Sequence, residues 1–426
     1  MLRWVRGADL RARRRVSLAR VGLLGLFAII GPGLVSGFAD NDAAGITTYS
    51  LVGIKFGYAL LWVVLASQVV LFFTQEVGAR LGLATGQGLT GLVRQQYGVR
   101  WATFVALTML VANLGTTVAE FAGIGSALGL FGVPIWLSSI LAAVAMVFLI
   151  ARGSFQRVQW AFIIAGVGIS AAYIGSAILA HPDWREAAVN LVIPHLSAAP
   201  AYWLAVVGTV GTTITPWGQG FIQAYVVDKG LGPPDLPGVR LDVGFGSGIT
   251  NVVAAFIVIA CAATLWTTGQ TDITDAAQAA QALAPLAGDA AMLLFAGGLL
   301  AASLLGLGVV PLTSAYTTCE AFGWEAGVDW SWRQAPAFYG VLAFFIGFAA
   351  LFVLIPGLPL FGLIFLTAVL NGLLLPFILV FVMLLARDPK LMGSLRSGRA
   401  LTLIGWAVTV LLVLMSVVLI WTSLAG

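Results

Sequence analysis

The chain has 426 residues, of which 60% are hydrophobic and only 9% are charged, and its formal net charge is +4. Soluble domains carry about a quarter charged residues. This composition therefore specifies a polytopic membrane protein and leaves no room for a soluble domain of any size. Cys261 and Cys319 lie in separate apolar stretches, a pattern that supports neither a disulfide framework nor a zinc motif.

Seven arginines, Arg3 to Arg20, precede the first apolar run. That run contains Gly31-Pro32-Gly33 and Asp40 and leads straight into another long span, which argues for a cytoplasmic anchor and against a cleaved signal. A bilayer core needs about 20 apolar residues per helix. On that scale the spans fall near 20–52 (broken), 57–79, 101–130, 134–151, 157–180, 202–226 (broken), 246–268, 289–319, 335–355, 358–386 and 400–424.

Charge placement tests this count independently, because basic residues concentrate in cytoplasmic segments. With the N-terminus inside, the inner segments hold the N-terminal arginines and Arg80, Arg94, Arg100, Arg152, Arg157, Lys229, Arg240, Arg333, Arg387, Lys390, Arg396 and Arg399. Of the 21 lysines and arginines, only Lys55 and Arg185 fall outside. One missed helix would scramble that alternation, so eleven spans with the N-terminus cytoplasmic and the C-terminus outside are expected, in a cell (inner or plasma) membrane. The outer loop 269–289 is acidic through Asp272, Asp275 and Asp289, and reads as a solvated loop. His181 and His195 share another outer loop without further ligands around them, and read as surface histidines.

Asp42 sits in the middle of the first span, beside Asp40 and Asn41 and among helix-weakening glycines. An ionisable residue at that depth is expensive and marks a pathway. A second break, Gly211-Thr212-Thr213-Ile214-Thr215-Pro216-Trp217-Gly218, interrupts the sixth span. Paired interrupted helices in corresponding places of two halves point to a transporter's binding site. The predicted division is a basic segment 1–19, a first five-helix repeat 20–180, an outer loop 181–201, a second repeat 202–386, and a loop with a peripheral eleventh helix over 387–426. Five spans is an odd number, so the second repeat is inverted relative to the first. Glycine-rich pieces such as Gly306-Leu307-Gly308 suit close helix packing, and they follow no strand that would support nucleotide binding.

The residues around these breaks resemble the Nramp family of divalent-metal transporters. The resemblance runs through Gly31 to Arg94, including Phe56-Gly57-Tyr58-Ala59-Leu60-Leu61-Trp62 and Leu81-Gly82-Leu83-Ala84-Thr85-Gly86. It continues in Thr116-Thr117-Val118-Ala119-Glu120-Phe121-Ala122-Gly123 and in Asn371-Gly372-Leu373-Leu374-Leu375-Pro376-Phe377. It implies an all-α fold of about 11 transmembrane helices, a LeuT-like 5+5 inverted repeat with helices 1 and 6 broken. It also implies a transporter and not an enzyme, with a divalent metal ion and the lipid bilayer as partners, no nucleic acid and no resident cofactor. Two departures stand out. Where most Nramp proteins have Asp-Pro-Gly-Asn, this chain has Asp42-Ala43-Ala44-Gly45, and where they have Met-Pro-His it has Thr215-Pro216-Trp217. Both departures resemble the Nramp-related magnesium transporter branch, which implies Mg²⁺ and Mn²⁺ as transported ions.

By position, the carbonyl of Ala39 and the carboxylate of Asp42 face the ion from the first helix. The carbonyl of Thr212 and the hydroxyl or carbonyl of Thr215 face it from the sixth. Every one of these is a hard oxygen donor, the class that suits Mg²⁺, Ca²⁺ and Mn²⁺. Gly45 and Thr215 replace bulkier ligands and leave space for the water that Mg²⁺ keeps, whereas Trp217 works against a roomy site. Asp40 is a candidate outer acceptor, vestibule residue or direct ligand. Asn41, Gln219 and Gln223 are candidates for holding waters around the ion, the glutamines alternatively for helix-packing hydrogen bonds. Glu120 is a candidate proton-pathway residue or a packing hydrogen-bond partner. In classical Nramp proteins a nearby acidic pair and a basic ninth helix are associated with proton movement. Here the first acidic position is Thr117 and no Lys or Arg occurs between Arg333 and Arg387, so the resemblance implies weak or absent proton coupling. The alternatives are a proton-coupled Mn²⁺/Fe²⁺ carrier, a sodium-coupled amino-acid carrier, an intramembrane aspartyl protease and a channel. Asp42 would repel an amino-acid carboxylate, and a protease needs two carboxylates sharing a proton.

Overall fold

The computed structural model describes residues 37, 40–151, 155–271, 273, 276–327 and 330–425. The basic N-terminal segment, Ala39, Asp272 and Asp275 lie outside the described residues, as does nearly all of the first half of the broken first helix.

Fourteen longer helices are described, numbered in chain order. They are α1 (Ala43–Phe56), α2 (Leu61–Thr85), α3 (Leu89–Tyr97), α4 (Val99–Gly129), α5 (Ile135–Ala151), α6 (Phe155–Leu179) and α7 (Trp184–Val192). After them come α8 (Pro200–Thr213), α9 (Pro216–Asp228), α10 (Leu236–Cys261), α11 (Ala291–Phe322), α12 (Pro336–Phe352), α13 (Leu360–Arg387) and α14 (Arg399–Ala425). Each expected span from the second onward has its helix. By length and composition, six described helices can cross a membrane unaided: α2, α4, the segment Pro233–Trp266, α11, α13 and Leu401–Trp421.

The sixth span is broken as expected. α8 stops at Thr213 and α9 restarts at Pro216, which sits in the first turn, where a missing N–H costs nothing. α10 begins at Leu236, ten residues ahead of the predicted start, because its charges find partners: Arg240 reaches a glutamate on α2. Two short amphipathic helices, α3 and α7, fill connections read from sequence as loops. Nine residues give too few turns for a periodic signal, although Asp183 caps α7 by accepting the Glu186 N–H at 2.9 Å.

The halves interlock rather than sit side by side. α4 of the first half packs along α11 and α13 of the second, and α10 packs along α1 and α2. α8 and α13 meet where both carry glycine, Gly211 and Gly372. On α2, Glu76 accepts hydrogen bonds from Arg80 and, at 2.7 Å, from Arg240 Nε. Arg80 also donates to the Leu395 carbonyl at 3.3 Å. The Glu76 and Arg80 side chains are 5% and 6% exposed and that of Arg240 is 48% exposed. Breaking a buried pair strands a charge, so Glu76→Ala is expected to cost about 3–5 kcal/mol. Arg240→Ala removes a half-exposed partner and is expected to cost less than about 1 kcal/mol. Thermal unfolding of the two variants in detergent checks the contrast.

Candidate functional site at the paired breaks

The break in the sixth span exposes backbone that helical residues would otherwise satisfy. In a helix the Thr212 carbonyl would accept from the N–H four residues on, but that residue is Pro216, which has none. The Thr212 carbonyl is thus left without an intrahelical donor at the negative end of α8. The Thr212 hydroxyl is buried and also lacks a partner. Thr213 faces elsewhere: its hydroxyl bonds the Thr209 carbonyl at 2.7 Å and the Tyr49 hydroxyl at 2.8 Å, tying α8 to α1.

On the first helix, Asp42 is the N-cap of α1 and is fully buried. Its Oδ1 accepts the Gly45 N–H at 2.8 Å, while Oδ2 has no hydrogen-bond partner. A β-carbon at Gly45 would lie 2.9 Å from the Asp40 carbonyl oxygen and 3.7 Å from Asp42 Oδ1. The room that sequence assigned to a water beside Gly45 is therefore taken by a main-chain carbonyl that only glycine lets approach. Asn41 donates to the Thr250 carbonyl of α10 at 3.4 Å, and its own side-chain carbonyl oxygen is buried without a partner.

Thr215 caps α9: its hydroxyl accepts the Gly218 N–H at 3.2 Å and lies beside the Asp40 carboxyl. Trp217 is wholly buried, packs edge-on against Phe221 and leaves its indole N–H without an acceptor. Gln219 donates to Thr74 on α2 at 3.3 Å, and its side-chain carbonyl oxygen is unpartnered. Gln223 lies one turn further along α9 and donates to the Gln87 carbonyl at 2.9 Å, in the connection between α2 and α3. It thus belongs to the end of α9 away from the break.

Glu120 comes from α4, and nothing in the sequence hints at what it touches. Its carboxyl packs against Gly306 of α11 and lies next to the carboxyl of Asp42. Neither of its buried oxygens has a well-formed hydrogen bond, although the Ala43 main chain and the Asp42 carboxyl lie close. Thr117, close by on the same helix, spends its hydroxyl on the Asn113 carbonyl at 2.7 Å. Glu76 pairs with Arg80 and Arg240, whereas among the described residues no ion pair is formed by Asp40, Asp42 or Glu120. Buried carboxylates side by side at membrane depth need a proton or a cation between them. No cluster of three or more His, Cys, Asp or Glu side chains able to hold a metal occurs among the described residues. An ion at the breaks would therefore draw on hydroxyl, main-chain and water oxygens as well as carboxylate. Cys261 and Cys319 are buried free thiols, and His195 contributes its main-chain carbonyl to the Tyr202 hydroxyl.

Thr74 and Gln75 are site neighbours that sequence reasoning passed over. The signal was present: Thr74-Gln75-Glu76 puts three consecutive polar residues inside an otherwise apolar span.

The same fold occurs in known proteins. The family profile described as natural resistance-associated macrophage protein-like (Nramp) matches residues 33–422. A curated relative from Deinococcus radiodurans, named divalent metal cation transporter MntH, is 27% identical over 422 residues, covering 95% of this chain and 92% of its own. Among solved structures, the Eremococcus coleocola manganese transporter in complex with an aromatic bis-isothiourea substituted compound superposes with a TM-score of 0.74 at 20% identity, over 92% of this chain and 85% of that one. MhsT in complex with L-phenylalanine shares the architecture at a TM-score of 0.61 and 17% identity, over 95% of this chain and 98% of that one. The fold is therefore the all-helical, LeuT-like inverted repeat, embedded in a membrane by multiple spans. With the profile matched along nearly its whole length, the chain belongs to the Nramp family.

Proposed function

We propose that the protein is a secondary transporter of divalent metal ions, Mg²⁺ and Mn²⁺, working by alternating access around the two breaks. One observation carries this reading: several buried polar atoms without a protein partner belong to residues at the breaks and beside them. Among them are Asp42 Oδ2, both Glu120 oxygens, the Thr212 hydroxyl and the indole N–H of Trp217. Buried polar groups are otherwise nearly always satisfied, so such a cluster calls for water or an ion. All the acceptors are hard oxygens, which suit Mg²⁺ and Mn²⁺. The Trp217 N–H cannot bind a metal but can donate to the waters that Mg²⁺ retains.

In this reading Asp42 supplies the principal charge, with the carbonyls of Ala39 and Thr212 and an oxygen of Thr215 as neutral ligands. Glu120 stands beside the ion as a second negative charge. Proton coupling is weak or absent, because Thr117 carries no titratable group and no basic residue lies between Arg333 and Arg387. The repeats 20–180 and 202–386 form the moving frame, with the N-terminus cytoplasmic. A proton-coupled Mn²⁺ carrier is the second reading, favoured by the manganese named for the Eremococcus coleocola transporter.

The test is Mg²⁺ uptake into proteoliposomes with Mn²⁺ as competitor and internal pH recorded. Saturable Mg²⁺ entry without acidification is expected. Mn²⁺ entry with acidification and no Mg²⁺ flux would establish the second reading instead. Replacing Thr215 by methionine puts a thioether at the break, and softer ligands favour transition metals. Thr215→Met is therefore expected to raise the preference for Mn²⁺ over Mg²⁺ about tenfold, the size of a single ligand-shell change. Competitive uptake measures the ratio, and an unchanged ratio would remove Thr215 from the ligand set.

A further inference from the structure

Asp40 is buried as completely as Asp42 but is not among the ligands proposed above. Its Oδ2 accepts the Gln75 amide at 3.3 Å, and its Oδ1 has no hydrogen-bond partner. The groups facing it come from three elements. Gln75 belongs to α2, Thr215 and Gly218 to α9, and Asp42 to its own side of the break. None of these groups is basic. Around the missing β-carbon of Gly218, the Thr215 hydroxyl, Asp40 Oδ1 and the Gln75 amide converge at 2.9, 3.7 and 4.0 Å. The next residue, Gln219, has its amide nitrogen fixed by Thr74, and its unpartnered oxygen is likewise buried.

We propose that Asp40, held in place by the Gln75 amide N–H and joined by the side-chain oxygen of Gln219, forms a second station for the cation on the α9 side of the break. The donor set is one carboxylate with neutral oxygens, which matches how Mg²⁺ is held when it keeps most of its water. A buried carboxylate with no ion-pair partner also lacks the counter-charge that membrane depth demands, and a passing cation supplies it. Two divalent ions in neighbouring positions of one low-dielectric cavity repel strongly. The stations are therefore occupied in turn: Asp42 releases the ion to Asp40 as it moves along α9. This inference rests on the divalent-cation reading, and the experiment below separates the two.

The test uses the full chain in lipid nanodiscs with Mn²⁺ as the probe. Equilibrium binding is read by electron paramagnetic resonance, and flux in proteoliposomes. Wild type is expected to bind one Mn²⁺. Asp42→Asn is expected to keep one Mn²⁺ with affinity lowered about tenfold or more, and adding Asp40→Asn is expected to abolish that residual binding. Asp40→Asn alone is expected to leave one bound Mn²⁺ while slowing saturated flux about tenfold. Gln219→Leu, which alters no charge, is expected to slow it in the same direction, and Asp40→Glu to restore part of the rate. The second station is overturned if the residual Mn²⁺ of Asp42→Asn is absent or survives the loss of Asp40. It is also overturned if Asp40→Asn shifts only the melting temperature, as a residue that merely steadies the first turn of α9 would do. Wild-type Mn²⁺ binding that ignores Asp42→Asn altogether would instead overturn the site proposed at Asp42.

Discussion

Asp42→Ala is expected to abolish divalent-metal uptake, by at least about a hundredfold, since substitutions even one layer out from a metal cost 10–100-fold. The variant should remain folded. Its structural cost is the loss of one N-cap, about 1 kcal/mol, small for a chain with an extensive helical core. Asparagine separates the two roles of the residue. Asp42→Asn keeps a good cap for the Gly45 N–H but removes the charge, so it should melt near wild type and still fail to transport. Uptake assays beside thermal unfolding in detergent check both halves. Substantial flux through either variant would remove Asp42 from the site.

Gly372→Leu is expected to be the most damaging single change to stability. A β-carbon at Gly372 would meet the Val207 carbonyl and lie 2.8 Å from the Val207 side chain. One at Gly211, across the same contact, would meet the Ala368 carbonyl and come within 2.7 Å of the Gly372 α-carbon. Both obstacles include main chain, which cannot rotate away as a side-chain tip can. Glycine in a helix costs about 1 kcal/mol relative to alanine, so the sequence accepts that penalty to bring α8 and α13 together. Leucine there should cost about 3 kcal/mol or more through overpacking, and Gly372→Ala less. Melting temperature and the yield of monodisperse protein report the order. A Gly372→Leu protein as stable as wild type would mean that α8 and α13 are not in contact at this point.

The spans were legible because each rests on a local quantity, the length of apolar chain between charges. The sixth break was legible for the same reason: Pro216, four residues after Thr212, frees a carbonyl by covalent structure alone. Asp42 announced itself through the cost of a charge at that depth. The neighbour of Asp42 did not. Glu120 lies far along the chain, and only the packing of α4 against α11, with Gly306 making room, brings its carboxyl to the break. Gly45 misled in an instructive way. Removing a side chain suggests empty space, but the backbone folded into it and delivered the Asp40 carbonyl instead. The Thr215 hydroxyl, a free ligand on paper, is occupied in starting α9. Composition and spacing report which atoms are present. They do not report which of those atoms are already bonded.

The carboxylate of Asp42 is divided between two duties, one oxygen holding the Gly45 amide and the other without a donor. A cation that draws on the free oxygen pulls on the group that also nucleates α1. Under the proposed function, cargo residence and the fraying of one helical turn would thus form a single linked equilibrium.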